Sequence, residues 1–392
     1  MTTPDARVAP AALFDPLTLR GVTARNRIWV PALCQYSVTA RDGVPTDWHL
    51  AHLGSFAMGG AGLVMAEATA VVPEGRISPH DTGIWNDEQV AGWRRVVDFV
   101  HAQGAVAGLQ LAHAGRKASV YPEWGFEQKG SIPLDGPAAG AAAGAASDAA
   151  DPAADAAPGR GWQTVSASEL AFEGYRAPRA LTLDELPGVV AAFAAAARRA
   201  LDAGFDLVEL HAAHGYLLHQ FLSPLSNIRT DAYGGSLENR ARLLLDIVRA
   251  VRTEVGEQVP LLVRFSASDY AEGGWDAEQT ATVASWAHEA GADFFDISSG
   301  GLISGVRIPL GPGYQVPFAE QVRETAQVAV SAVGLITDVA QAAAIVSSGQ
   351  ADAVMLGREM MRDPHFALRA AHELGVEVDY WPPQYLRARW TS

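Results

Sequence analysis

Eight short apolar runs of strand character recur along the chain, most of them followed by a longer stretch of helical periodicity. Strands that alternate with helices build a parallel sheet covered by helices, and eight such units close most simply into a single α/β (β/α)8 TIM barrel. The runs lie at 27–33, 62–67, 105–111, 206–211, 260–265, 293–298, 327–335 and 353–356. Apolar residues at helical spacing predict helices over 88–103, 187–203, 237–255, 277–290, 339–348 and 364–374. The spacing breaks once: residues 112–179 separate the third strand from the fourth, far too many for a barrel loop, and predict an inserted lid or loop region. Within it, 136–161 consist almost wholly of Ala, Gly, Pro and Asp, too poor in large side chains to pack, and read as a mobile surface loop. An alanine helix is the competing reading, opposed by the interspersed Gly and Pro.

With 392 residues and 49% hydrophobic content, the chain can bury a core of barrel size. The formal net charge of −15 would repel a nucleic-acid backbone or an anionic membrane, so neither is expected as partner. The single cysteine, Cys34, excludes an intramolecular disulfide and any all-cysteine metal or cluster site, which points to a reducing compartment, the cytoplasm. The N-terminal residues carry no basic segment followed by a long apolar run, and no stretch of about 18 apolar residues occurs. Neither export nor a membrane span is expected.

A catalytic TIM barrel concentrates polar residues at the C-terminal ends of its strands. Here those ends carry Cys34, Glu67, Gln110, His211, Arg264, Asp296 and Ser298, then Gly334, and Gly357-Arg358. Strand alternation places Leu207, Glu209 and His211 on one face and Val208 and Leu210 on the other, so Glu209 and His211 point inward. The same parity on the fifth strand suggests that Arg264 pairs with Glu209 inside the barrel, either as a register-fixing ion pair or as part of the site.

The segment 207–217 carries the sharpest signal. A strand ending near His211 and a turn at Ala212-Ala213 bring His214 beside it, where two imidazoles can donate to one oxygen gaining negative charge. Tyr216, with an ordinary pKa near 10, is suited to giving a proton to a carbanion-like carbon. Competing readings are structural histidines, a zinc centre of a TIM-barrel hydrolase using His211 and His214, and an aromatic that only packs. Neither G-x-G-x-x-G nor G-x-x-x-x-G-K-[ST] occurs, so Rossmann and P-loop nucleotide sites are unsupported. The glycines after strands seven and eight, with Arg358, instead fit the phosphate position common to TIM barrels, and imply a phosphorylated ligand.

The ordered motifs resemble the Old Yellow Enzyme family, in particular its cysteine-containing bacterial branch. They run from Leu19-Arg20-Gly21 and Leu33-Cys34-Gln35-Tyr36-Ser37 through Leu109-Gln110-Leu111-Ala112-His113-Ala114-Gly115-Arg116-Lys117. They continue with His211-Ala212-Ala213-His214-Gly215-Tyr216, Ser226-Asn227-Ile228-Arg229, Val263-Arg264-Phe265 and Leu356-Gly357-Arg358. The resemblance implies an FMN-dependent ene reductase that passes hydride from NADPH or NADH through flavin to the β carbon of α,β-unsaturated carbonyl compounds. FMN would rest on Pro31, Ala32, Leu33 and Cys34, with Ala68, Gln110 and Arg264 at its ring and Gly334, Gly357 and Arg358 near its phosphate. His211 and His214 would hold the substrate carbonyl, Tyr216 would donate the proton, Tyr36 would assist binding and Cys34 would tune the flavin. Demethylases and dienoyl reductases of the broader family carry further redox domains and a cysteine cluster, which one cysteine does not allow. The aromatic, basic C-terminus at 380–390 would be costly to expose. It either docks on its own barrel or, as the resemblance implies, reaches a neighbouring subunit of a homodimer and supplies Arg387 to its substrate site.

Overall fold

The computed structural model describes residues 10–134 and 160–390. Eight parallel strands form a closed barrel in chain order: β1 (Ile28–Val30), β2 (Leu63–Ala70), β3 (Val106–Ala112), β4 (Leu207–Ala212), β5 (Leu261–Ser266), β6 (Phe294–Ser298), β7 (Ala329–Ala332) and β8 (Ala353–Met355). A helix follows each: α1 (Asp47–Met58), α2 (Asp87–Ala102), α3 (Leu186–Asp202), α4 (Leu237–Val255), α5 (Ala277–Ala290), α6 (Val316–Ala326), α7 (Val339–Ser347) and α8 (Phe366–Glu373). The expected barrel is therefore the observed one.

Alternation sorts the strand residues into two layers. Val208, Leu210, Val263, Phe265 and Phe295 face outward into the core shared with the helices. Trp29, Met65, Leu207, Leu262, Phe294 and Met355 fill the barrel interior. An antiparallel hairpin, Leu17–Leu19 with Val22–Ala24, packs Leu17, Leu19 and Val22 against this interior cluster and so plugs the N-terminal end. Above the apolar floor, towards the C-terminal ends, the interior becomes polar. The register sets Gln110 beside Glu209, and then His211, Arg264, Asp296 and Ser331 side by side across four strands. Burying so many polar groups costs stability unless they are paired, which marks this layer as the functional end.

The insertion after β3 folds back over that end through a two-stranded parallel sheet, Val165–Ser166 with Arg179–Ala180. The alanine-rich stretch at 136–161 lies outside the described residues except for Arg160 and Gly161. Among the described residues, no helix is long and apolar enough to cross a membrane.

Candidate active site

β4 ends at Ala212, and the turn that follows brings three rings together. The His211 and His214 ring centroids lie 5.2 Å apart, and those of His211 and Tyr216 5.0 Å apart. The turn needs left-handed backbone at His214 (φ 56°) and Gly215 (φ 73°). A Cβ on Gly215 would stand 2.3 Å from the Gly301 carbonyl oxygen, so the turn sits directly on the loop after β6. His214 is tied down twice more, its backbone N–H donating to Ser266 Oγ (2.9 Å) and its Nε2 lying 2.8 Å from Ser298 Oγ. Gln315 Nε2 donates to that same Ser298 Oγ (3.1 Å).

Lys117 closes one side. Its ammonium donates to the His214 and Gly301 carbonyls (2.9 and 3.0 Å) and sits 5.1 Å above the Tyr216 ring. Burial and the neighbouring Arg116 lower its pKa to about 8, so it stays mostly cationic at neutral pH. Burial, with Arg264 next, holds both His211 and His214 well below the usual histidine range. They are neutral rings, each with one N–H to give. Burial pushes the Tyr216 phenol well above its ordinary value, helped by Cys34 and Asp81, so it keeps its proton. Tyr36, Cys34 and Tyr216 pack on one small apolar cluster with Ile77, Ala114, Ala118 and Val120. Tyr36 also meets the Trp124 ring at 4.9 Å.

The pairing suggested for Glu209 and Arg264 is not what forms. The register sets Arg264 level with Asp296, whereas Glu209 lies one layer lower, beside Gln110 and Leu262. Arg264 Nε accordingly stands 2.7 Å from Asp296 Oδ2, and Gln110 Nε2 donates to Glu209 Oε1 (2.7 Å). Two buried carboxylates thus share the field of one arginine, and burial raises the pKa of both. Glu67 occupies a β-bulge on β2. Its carboxylate accepts from the Gln35 backbone N–H (2.8 Å) and lies 2.8 Å from His49 Nε2, which anchors the segment bearing Cys34. Cys34 is a free, half-buried thiol. Burial and then Glu67 raise its pKa, so it remains protonated.

These surroundings fit a polar heteroaromatic ring at the barrel mouth. Glu209 Oε2 and His211 Nδ1 are buried without a hydrogen-bond partner among the described residues, and Arg264 Nε lies off the hydrogen-bond axis of its ion pair. Pro31 to Cys34 follow β1 and Ala68 lies on β2. Gly334 follows β7, and Gly357 precedes the short helix Arg358–Arg362, with Arg358 exposed. Arg387 is not brought to the other expected site residues of its own chain. It is exposed on a short helical turn, Pro383–Ala388, in a tail that docks on α8 by stacking Trp390 on His372 (5.1 Å). Beside His211 and His214, no third side chain completes a metal-ligand set among the described residues, so the zinc alternative has no support.

Lys117 and Gln315 received no role from the sequence. A signal for Lys117 was present: the chain holds 29 basic residues and only two are lysines, which makes each retained lysine conspicuous. Gln315 had none, because it sits on the irregular loop that leads into α6.

Residues 12–377 match the model of the NADH:flavin oxidoreductase / NADH oxidase family. The chain is 45% identical over 376 residues to the NADPH dehydrogenase of Listeria innocua, covering 96% of this chain and 98% of that protein. It is 43% identical over 376 residues to the NADPH dehydrogenase of Bacillus velezensis, with the same coverage. Morphinone reductase superimposes with a TM-score of 0.72 at 30% identity, over 95% of this chain and 92% of that one. A family match across nearly the whole barrel, with polar groups at its mouth suited to a flavin, leads to one conclusion: the chain belongs to the NADH:flavin oxidoreductase family of Old Yellow Enzyme type, an FMN-dependent oxidoreductase that takes its electrons from NAD(P)H.

Proposed function

We propose that this oxidoreductase is an ene reductase acting on α,β-unsaturated carbonyl compounds. The observation that carries the reading is the convergence of His211, His214 and Tyr216 on one side of a buried polar mouth. The chemistry that bound FMN would supply is the relay of hydride from NAD(P)H to the alkene β carbon. The backbone of Pro31 to Cys34 with Ala68, Gln110 and Arg264 would hold its ring, and Gly334, Gly357 and Arg358 its phosphate.

Every other task falls to side chains of this chain. Ser298 Oγ accepts from Gln315 and lies 2.8 Å from His214 Nε2; with its hydroxyl donating a hydrogen bond to Nε2, the ring keeps its hydrogen on Nδ1 as the donor to substrate. His211 is neutral and supplies the second N–H. Two neutral donors fixed in a water-poor site stabilise the substrate oxygen as it gains charge, without releasing a proton prematurely. Tyr216 then protonates the α carbon, its phenol kept intact by burial. Lys117 fixes the carbonyl end of the turn and places positive charge over the Tyr216 ring, which favours the transient phenolate. Tyr36 walls the substrate and Cys34, as a thiol, adjusts the flavin environment. The enzyme works in the cytoplasm as a homodimer or dimer-based oligomer, in which Arg387 of the tail completes the partner's substrate site.

Replacing both His211 and His214 with alanine tests this. The double variant retains flavin, loses affinity for phenol ligands and reduces enones at least about 10²-fold more slowly, the loss typical of deleting oxyanion donors. Enone reduction at the normal rate would make the histidines structural.

A further inference from the structure

Behind the catalytic turn lies a second cavity of about 530 Å³, a size typical of small-molecule pockets. Its walls are Val72, Val165, Leu181 and Val189, and the Arg179–Glu185 pair stands at its rim. Its polar floor is His113, only 5% exposed. The His113 Nδ1 accepts the Gly115 backbone N–H (3.0 Å), which leaves the ring hydrogen on Nε2. That N–H meets no acceptor among the described residues, and the ring lines the cavity. The donor opens onto the cavity, so an occupant that carries an acceptor can take its hydrogen bond.

We infer that this cavity is a second ligand site, which takes a neutral apolar molecule carrying one carbonyl or ether oxygen, accepted by His113 Nε2–H. The charges around it disfavour an anion. Arg179 spends both terminal guanidinium nitrogens on Glu185 (2.8 and 2.6 Å), which neutralises it, and Glu74 and Asp184 on the lining repel an anion. His113 itself is a neutral ring, because burial lowers its pKa to about 4. An aliphatic body would lie on the valine and leucine walls with its acceptor on His113, while Gln163 and the carboxylates of Glu74 and Asp184 complete the lining. The site is coupled to the catalytic turn through the same residue. The His113 carbonyl accepts the Leu217 N–H (2.9 Å) immediately after Tyr216, and its ring holds Gly115 at the start of the turn that bears Lys117.

The test uses the flavin-loaded enzyme with its flavin site saturated by 4-hydroxybenzaldehyde, and titrates the saturated ketone menthone by calorimetry. The block rests on the reading of His211 and His214 above, and the flavin absorbance change on adding the phenol shows independently whether it is in place. The proposal expects saturable menthone binding with that absorbance change intact. His113→Phe should weaken the binding about tenfold, the worth of one hydrogen bond. Ala192→Phe, which fills the cavity from the α3 wall and leaves the histidine in place, should abolish it. Three results would overturn the proposal: no saturable heat, equal affinity in wild type and both variants, or binding that appears only as the phenol's absorbance change is lost.

Discussion

Gly215→Ala isolates the geometric claim, because the residue lies between His214 and Tyr216 and has no side chain of its own. At φ 73° an alanine costs about 1 kcal/mol in backbone strain. Its Cβ would stand 2.3 Å from Gly301 O and 2.8 Å from Leu302 Cα. Both are backbone atoms, so no rotamer relieves the contact. A separation near 3.0 Å is the least that real Cβ atoms accept, so the turn and the Gly301 loop must part by about 0.7 Å. The two backbones are packed equally closely from the other side, where a Cβ built on Gly301 would stand 2.7 Å from His214 Cα. A displacement approaching ~1 Å of reacting groups costs on the order of 10² in rate. Overpacking adds a further ~1–3 kcal/mol of destabilisation. The expected variant binds FMN, melts earlier and, in anaerobic stopped flow, transfers hydride to cyclohexenone about 10²-fold more slowly, while its reduction by NADPH changes little. Gly256→Ala is the control: φ 74° with open space around the Cβ, at the far end of α4, so strain of about 1 kcal/mol and no kinetic effect are expected. Wild-type oxidative rates in Gly215→Ala would refute the argument that backbone contact positions the catalytic rings.

Tyr216→Phe removes one proton donor, and the reaction of reduced enzyme with enone should slow by roughly 10²-fold with flavin reduction unchanged; equal damage to both half-reactions would indicate packing. His113 has a folded pKa of about 4 against 6.5 for the free side chain, so the unfolded chain binds its proton first as pH falls. Its neutral burial contributes stability fully present above about pH 6.5 and lost towards pH 4, on the order of 3 kcal/mol; denaturant melts of His113→Gln should show a shallower acid limb than wild type. Truncation after Pro383 removes the tail beyond its proline pair, and should lower the mass seen by light scattering and raise the Michaelis constant for enone. Unchanged mass and kinetics would leave the tail as packing on α8.

The barrel was legible because both of its periodicities are written plainly. The expected limits of α4 and α5 match the structure at both ends, since Ser236 and Asp276 accept backbone N–H groups at their N-termini and Gly256 and Gly291 terminate them. β1 was expected to run to Leu33 but ends at Val30, because Pro31 has no N–H to continue the ladder. α1 escaped notice because its buried face carries His49 and Gly54 among the apolar residues, which blurs the stripe. The turn that gathers His211, His214 and Tyr216 could be read because its residues are contiguous. The ion pair of Arg264 could not: parity states which face a side chain takes, whereas the partner depends on stagger between strands, set only by the closed barrel. For the same reason the support that Lys117 gives to His214, 97 residues away in sequence, is a property of the fold.

Anaerobic mixing of NADPH-reduced enzyme with 2-cyclohexenone tests the central claim most directly. The account predicts flavin reoxidation that saturates with enone and yields one cyclohexanone per flavin. An enzyme whose reduced flavin survives the enone, yet reoxidises when oxygen is admitted, would be an NAD(P)H oxidase with no role for His211, His214 and Tyr216 in alkene reduction.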